Sequence, residues 1–462
     1  MGDNGFEVRQ RRVVVVGAAR SGVAAAELLV RKGAVVTLSD VRDTIDAGDR
    51  LRAAGVRLEL GGHQPETFAG AELVVVSPGV PVEQPVFDVA REAGAEVIGE
   101  LELAWRWVRG RVIAVTGTKG KSTTTTLVGR MLDAAHRRVL VGGNIGQPLS
   151  GQVEESTEDT IHVVEVSSFQ LETTVTFRPW IAVWLNFSAD HLDRHPSLES
   201  YAGAKARVFA NQRGSDWAVV NADDPAVMSR SEGIAAGRVL FAMSGRIESG
   251  FTVDGEWIVK RTVTAVERLL PLSVVELPGQ HMLANVLAAS AAATLAGCSP
   301  ESLASALGGF RGLEHVMEPA GEIGAVRFVN DSKATNVEAA RRSIESFPGG
   351  VVAIVGGRFK GGDLRDLREP LTARGRAVVA IGEAAPLVRE ALAGSVPVVE
   401  ASTMRYAVSL GYEAAAPDGV VVLAPACASF DWYRDYAERG RAFKEEVARL
   451  RERREGTVTR ER

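Results

Sequence analysis

Val112-Ile113-Ala114-Val115-Thr116-Gly117-Thr118-Lys119-Gly120-Lys121-Ser122-Thr123 reads as a buried strand, a glycine loop and the start of a helix. The apolar and β-branched run up to Thr116 has the composition of a strand covered on both faces. Helical spacing follows through Leu127, Val128, Met131 and Leu132. Strand, loop ending in Gly-Lys-Ser, and helix make a phosphate-binding layout. Gly117 and Gly120 let the backbone approach an anion that a Cβ would hold away. The N–H groups that open the helix then face that anion. Lys121 can reach terminal phosphates as a point charge, and the Ser122 hydroxyl can bind Mg²⁺. The spacing G-x-x-G-K-S is shorter than the common G-x-x-x-x-G-K-S, so a strand-to-helix turn without a ligand is the competing reading.

The chain has 462 residues, and at roughly 150 residues per domain that means about three domains. Charged residues are 24% and hydrophobic ones 46%, ordinary for a globular protein. A net charge of −5 argues against nucleic acid or anionic lipid as a partner. The only cysteines, Cys298 and Cys427, are far apart. They form neither a disulfide framework nor a zinc site, and they suit a reducing, cytoplasmic setting. Arg20 and Glu27 interrupt the apolar N-terminal run, and no apolar stretch is long enough to insert in a bilayer.

Upstream of the loop, residues 13–17 form a strand, Gly17-Ala18-Ala19-Arg20-Ser21-Gly22 turns into a helix over Val23 to Lys32, and Gly33 closes that helix. Val35 to Leu38 is the next strand and ends at Asp40. An acid about 20 residues after a glycine turn is the dinucleotide fingerprint, here with Ala19 in place of the middle glycine. It points to a nucleotide-type ligand without naming one. Leu73 to Val76 ends in Ser77-Pro78-Gly79, at the carboxyl edge where such sheets bind ligands. A serine before proline is equally a plain turn residue.

Downstream, Glu100 to Val108 is a helix leading into the loop, and the strand Arg138 to Val141 precedes a second glycine loop, Gly142-Gly143-Asn144-Ile145-Gly146. Ile161 to Val166 is a buried strand with Glu165 near its end. A carboxylate there is costly unless paired or bound to metal; Mg²⁺ ligation and a structural hydrogen bond are both open. Trp180 to Phe187 is a strand running to Asp190-His191, and Lys205 lies on the helix Leu198 to Ala210, by position alone a solvated lysine. Trp217 to Val220 is a further strand. Short alternating runs within 239–277 (Phe251–Val253, Trp257–Val259, Leu272–Val275) suggest a small antiparallel sheet ended by Pro278-Gly279. A helix from about His281 to Ala296 follows. After Gly312, strands at Val326–Asn330, Val351–Val355, Ala377–Ile381 and Val420–Leu423 alternate with helices, which means a doubly wound sheet. Arg449 to Arg462 is a charge-dense helix end.

The fold expectation is therefore α/β in three domains. A Rossmann-like domain spans 1–99. A central P-loop domain with a parallel sheet plus a small antiparallel sheet spans 100–312, and a doubly wound α/β domain spans 313–462. The whole constellation resembles the Mur ligases. The resemblance rests on Glu165-Val166-Ser167-Ser168-Phe169-Gln170-Leu171-Glu172, on Asn330-Asp331-Ser332-Lys333-Ala334-Thr335-Asn336 and on Pro425-Ala426-Cys427-Ala428-Ser429-Phe430-Asp431, with Thr116 to Thr123 and Gly142 to Gly146 in support. It implies ATP-dependent amide-bond formation between UDP-N-acetylmuramoyl-L-alanine and D-glutamate, with Mg²⁺, in a monomer. By the same resemblance, Ala19, Arg20, Ser21, Asp40, Arg42, Ser77, Gly79, Asn144 and His191 would hold the UDP substrate. Gly117, Thr118, Lys119, Gly120, Lys121, Ser122 and Thr123, with Asn285, Asp331 and Lys333, would hold ATP. Thr335, Lys360, Ser429 and Tyr436 would hold D-glutamate. Ser122, Glu165, His191 and a carbamylated Lys205 would hold the metal, and Lys121, Glu165, His191 and Lys205 would carry the catalysis.

Two positions depart from the family pattern. Gly-x-His-Asn reads Gly279-Gln280-His281-Met282, leaving Asn285 as the nearby amide, and His-Arg reads His315-Val316. Both changes fall on the nucleotide side. The alternatives are a sister ligase or a folylpolyglutamate-type ligase with another amino acid, an oxidoreductase resting on Gly17 to Gly22, and a non-catalytic binding protein.

Overall fold

The valine run after Arg11-Arg12 is β1 (Arg12–Val16), and it lies at the centre of a five-stranded parallel sheet. With β2 (Val35–Asp40), β3 (Arg57–Leu60), β4 (Leu73–Val76) and β5 (Glu96–Gly99) the order is β3-β2-β1-β4-β5. The order reverses between β1 and β4, and at that point a doubly wound sheet opens a crevice. The glycine turn and the Ser77 loop meet there, with Ser77 Oγ donating to Gly17 O at 2.9 Å. A Cβ on Gly22 would stand 1.8 Å from Gly17 O, so the helix can start this close to the turn only with glycine.

The computed structural model describes residues 5–191, 194–244, 247–276 and 280–460. They divide into two units, Met1–Phe310 and Arg311–Arg462. The first unit also holds a nine-stranded sheet of β6 (Arg111–Thr116), β7 (Val139–Gly143), β8 (Ile161–Glu165), β9 (Ile181–Trp184), β10 (Trp217–Asn221), β11 (Gly237–Ala242), β12 (Gly250–Asp254), β13 (Trp257–Arg261) and β14 (Val266–Pro271). The order is β14-β13-β12-β11-β10-β9-β6-β8-β7. It is parallel from β7 to β12, and the antiparallel strands β12 to β14 continue from its edge. The third antiparallel strand is Val266–Pro271, and Leu272–Val274, expected as strand, is a 3₁₀ turn. Pro271 brings no N–H to a ladder, which ends the strand there. Pro278-Gly279 lies outside the described residues.

Val112 to Val115 on β6 are at most 1% exposed, and each buried valine or isoleucine side chain among them contributes about 1.5–3 kcal/mol. Beneath them Trp105, Phe177 and Trp184 pack in one core, with Trp105 and Phe177 edge to face at 5.7 Å. The loop after β6 is thereby carried on a rigid floor. The helix expected over Leu198–Ala210 is an α-helix at Leu198–Ala206 that tightens to a 3₁₀ turn at Arg207–Phe209.

The second unit has β15 (Glu318–Ile323), β16 (Val326–Asn330), β17 (Val351–Gly356), β18 (Gly375–Ile381), β19 (Val398–Ala401) and β20 (Val420–Leu423), in the order β15-β16-β20-β17-β18-β19. Only β15 runs antiparallel. The final helix spans Tyr436–Arg460.

Candidate functional site

The phosphate loop lies between β6 and the helix Lys121–Ala134, with Gly117 at φ +149° and Gly120 at φ +82°. A Cβ on Gly120 would stand 2.1 Å from Asn285 Oδ1, so the loop packs directly on that buried amide. Asn285 in turn donates weakly to Met282 Sδ at 3.7 Å. The sulfur thus faces the remaining amide where the family pattern has a second one. Asn186, which the sequence reading did not select, braces the loop from the other side. Its Oδ1 accepts from Thr118 N at 3.1 Å and Lys119 N at 2.9 Å, and its Nδ2 donates to Lys119 O at 3.0 Å. Lys121 Nζ folds back onto Gly117 O at 3.0 Å and Thr118 O at 2.9 Å. Thr123 is buried on the helix behind it.

Glu165 ends β8 beside the loop and is 2% exposed. Its Oε2 accepts from Ser122 Oγ at 2.7 Å and its Oε1 from Asn144 Nδ2 at 2.8 Å. The first helical hydroxyl and the second glycine loop therefore converge on one buried carboxylate. Lys205 is 1% exposed, and its Nζ donates to Gly117 O at 2.8 Å and lies 4.5 Å from the Tyr201 ring centre. No carboxylate among the described residues forms an ion pair with it. Burial, then the charge of Lys121, holds its pKa well below the ordinary lysine value. The solvated-lysine reading does not survive this burial.

His191 stands at φ +56°, with its ring 6.0 Å from Tyr201 and 5.0 Å from Phe169. Its neighbour Asp190 pairs with Lys119 at 3.5 Å. Burial works to raise the Asp190 pKa, but Lys119 and His191 outweigh it and hold the group lower. The segment is anchored by His195, also missed in the sequence. It is 2% exposed, bonded at Nε2 to Ser168 Oγ at 2.9 Å, paired at Nδ1 with Glu172 at 3.1 Å and stacked on Phe169. Through Ser168, Phe169 and Glu172, the Ser-Ser-Phe-Gln-Leu-Glu run therefore holds the segment that carries His191. Arg194 extends that segment to the first sheet, donating to Val80 O at 2.7 Å beside Gly79.

In the first sheet, Ala19 precedes the helix Arg20–Arg31, which begins earlier than expected. Asp40 does not present a free carboxylate to a ligand. Arg42 bonds both of its oxygens, and Ala18 N donates to Oδ2 at 2.6 Å. The Arg42 guanidinium, chief among several causes, holds the Asp40 carboxyl well below the usual range. Arg20 Nη1 donates to Gly146 O at 3.1 Å, joining this sheet to the second glycine loop. Ser21 lies on the helix start, and Ser77 and Gly79 at the exit of β4.

In the second unit, Asp331, Lys333 and Thr335 follow β16, Lys360 follows β17, Ser429 follows β20, and Tyr436 opens the final helix. Because β16, β20 and β17 are neighbours, three loops distant in sequence share one sheet edge. Asp331 Oδ1 accepts from Met317 N at 3.1 Å, and Oδ2 accepts from Ser343 Oγ. Arg439 clamps these loops, with bonds to Ser332 Oγ at 3.0 Å and to Cys427 O at 3.1 Å. His315, at φ +65°, packs beneath Asn330. Glu314, His315 and Glu318 have metal-ligand spacing. The Lys444 ammonium already bridges the two carboxylates, 2.8 Å from each.

Three family models match in succession: "Mur ligase MurD-like, N-terminal domain" over residues 11–99, "Mur ligase middle domain" over 115–293 and "Mur ligase, glutamate ligase domain" over 317–427. A protein of Acidobacterium capsulatum named UDP-N-acetylmuramoylalanine--D-glutamate ligase is 46% identical, across 96% of this chain and 97% of its own length. One of the same name from Desulfosudis oleivorans is 44% identical, across 96% and 98%. Among solved structures, a UDP-N-acetylmuramate-alanine ligase of Thermotoga maritima is similar in fold, with TM-score 0.59 and 18% identity, covering 95% of this chain and all of that one.

Proposed function

This chain belongs to the Mur ligases, and we propose that it joins D-glutamate to UDP-N-acetylmuramoyl-L-alanine at the expense of ATP, in the cytoplasm, as a step in peptidoglycan precursor synthesis. The observation that carries the chemistry is Lys205. A buried amine on the carbonyl of the first loop glycine has no reason to be there in a passive nucleotide binder. The D-glutamate specificity follows the names that the full-length relatives carry.

A carboxylate is a poor electrophile for an amine, so the alanyl carboxylate must first be activated as an acyl phosphate. The loop N–H groups and Lys121 would cradle the transferring phosphoryl group and stabilise the charge that spreads over its oxygens. The amine of D-glutamate then attacks the acyl carbon, a tetrahedral intermediate forms, and phosphate leaves. The amine loses its proton in that attack, and no side chain is assigned as its base.

The donor set beside the loop suits Mg²⁺. Glu165 and Ser122 offer hard oxygens, and Glu165 is already oriented by two hydrogen bonds. His191 and a carbamylated Lys205 would complete the set. When bound, the ion neutralises phosphate charge and polarises the phosphoryl oxygens. Carbamylation needs an uncharged amine, which attacks CO₂ and releases one proton; the burial of Lys205 favours that form.

For the UDP moiety we propose Ala19, Arg20, Ser21, Ser77 and Gly79 at the switch point of the first sheet. Asp40 and Arg42 act there by fixing the turn through Ala18. Asn144 and His191 would face the muramoyl-alanine part. Asn285, Asp331 and Lys333 would contact the nucleotide. Thr335, Lys360, Ser429 and Tyr436 would hold the carboxylates of D-glutamate. The test is phosphate release from ATP with UDP-N-acetylmuramoyl-L-alanine against a panel of D- and L-amino acids. Release with D-glutamate alone is expected; release with another amino acid would move the chain to a sister activity.

A further inference from the structure

Arg439 is 1% exposed, yet every oxygen that bonds its guanidinium is uncharged. Nε donates to Ser332 Oγ at 3.0 Å, Nη2 to Ser332 O at 3.0 Å and Cys427 O at 3.1 Å, and Nη1 to Cys427 O at 3.1 Å and Gly356 O at 3.5 Å. Among the described residues no carboxylate forms an ion pair with it. Asp431 is near enough to influence it, but its Oδ2 accepts from Glu383 N at 3.1 Å. A buried guanidinium without a counter-ion costs folding free energy. Carbonyl dipoles solvate such a charge without cancelling it.

Its partners sit in three loops. Ser332 follows β16, Gly356 ends β17 and Cys427 follows β20. The same loops carry Thr335, Lys360 and Ser429. Lys360 is exposed, and its charge acts on Cys427, the residue whose carbonyl Arg439 grips. One exposed and one buried cation thus border a single sheet edge, and the buried one lacks a protein anion.

We propose that Arg439 is a specificity-determining residue, whose fixed buried charge makes this cleft favour a dicarboxylate amino acid over its monoamide. This rests on the reading that the second unit takes D-glutamate. The guanidinium does not touch the substrate. It acts through its field, which a low-dielectric surrounding transmits further than water does.

The test compares Arg439→Met with Arg439→Lys in the full chain. In Arg439→Met the KM for D-glutamate should rise at least tenfold, with the KM for the UDP substrate within twofold of wild type. Arg439→Lys keeps the charge and loses the fork, and should recover most of that rise. If the lysine variant matches the methionine variant, Arg439 only ties loops and the charge assignment is wrong. An unchanged D-glutamate KM in both overturns it as well. Should both variants fail to fold, inhibition of Lys360→Ala by glutarate and by its monoamide decides, because that variant loses the exposed cation and keeps the buried one. The dianion is expected to bind it at least tenfold tighter, and equal inhibition overturns the proposal. A wild type that ignores D-glutamate in the amino-acid panel would sink the substrate reading instead. The same inhibitor pair, run with whichever amino acid it does use, still tests the charge.

Discussion

The Ser122 hydroxyl donates to Glu165 Oε2 at 2.7 Å, tying the first turn of the phosphate-loop helix to the end of β8. The bond serves a structural hydrogen bond and a metal ligand equally well, and the two readings part on charge. Glu165→Gln keeps the shape and can still bond Ser122 and Asn144 after an amide flip. If Glu165 ligates Mg²⁺, the variant should fold normally and need at least tenfold more Mg²⁺ for half-maximal turnover. Unchanged Mg²⁺ dependence would leave Glu165 a structural residue.

Lys121→Ala removes the cation now folded over the loop carbonyls. Its loss should lower turnover by roughly 10²–10³ through missing transition-state charge stabilisation. Equilibrium binding of the UDP precursor, measured calorimetrically without ATP, should hardly change, because the residues proposed to hold it lie mainly on the first sheet. Equal losses in both would mean that the loop holds a different ligand.

Much of this was legible because buried strands announce themselves. β1, β6, β8 and β17 are apolar runs with glycine or charge at their carboxyl ends, β4 and β20 are apolar runs that meet a proline two residues on, and the loops that matter sit at those ends. The strands missed are short, half-exposed or at edges: Arg57–Leu60, Glu96–Gly99, Gly237–Ala242, Val266–Pro271, Glu318–Ile323 and Val398–Ala401. Their side chains carry no clean alternation, and only pairing with a neighbour makes them strands. Asn186, His195 and Arg439 were illegible for another reason. His195 and Arg439, in polar segments, look solvated until tertiary contacts bury them, and the half-buried Asn186, near the end of an apolar run, shows its role only through its bonds to the phosphate loop. Asp40 shows the converse: the fingerprint acid was found by spacing, but that spacing could not reveal that Arg42 and Ala18 N already use it.

His162 lies within β8, 0% exposed, with Nδ1 bonded to Gln152 Oε1 at 2.9 Å and Nε2 to Ser156 Oγ at 2.8 Å. Burial pushes its pKa down to about 4 from an ordinary 6.5. The unfolded chain therefore takes up this proton first as pH falls. Stability from the neutral imidazole is fully present above about pH 6.5 and is lost progressively down to about 4, below which both states are protonated. The loss is at most about 3 kcal/mol. Urea denaturation across that window should show it, and His162→Gln should be less stable at pH 7 but flatter with pH. A wild type and variant with parallel profiles would show that His162 does not titrate on unfolding.

Lys205 carries the sharpest prediction, because the change it concerns is covalent and no residue code shows it. An ammonium bonded to Gly117 O beside Lys121 would meet a like charge on the loop, and it would repel a divalent ion. The uncharged amine avoids both and can react with CO₂, and the carbamate then offers oxygens of the kind Mg²⁺ prefers. Lys205→Ala should be nearly inactive, and a small carboxylate such as acetate in solution should restore part of the turnover. Lys205→Arg keeps a cation but cannot form the carbamate, so it should stay inactive with or without acetate. Intact-mass analysis of gently ionised wild type in bicarbonate buffer should show an added CO₂ that Lys205→Arg lacks. If Lys205→Arg retains most of the wild-type turnover, the lysine acts as a plain cation on the phosphate loop and the carbamate does not exist.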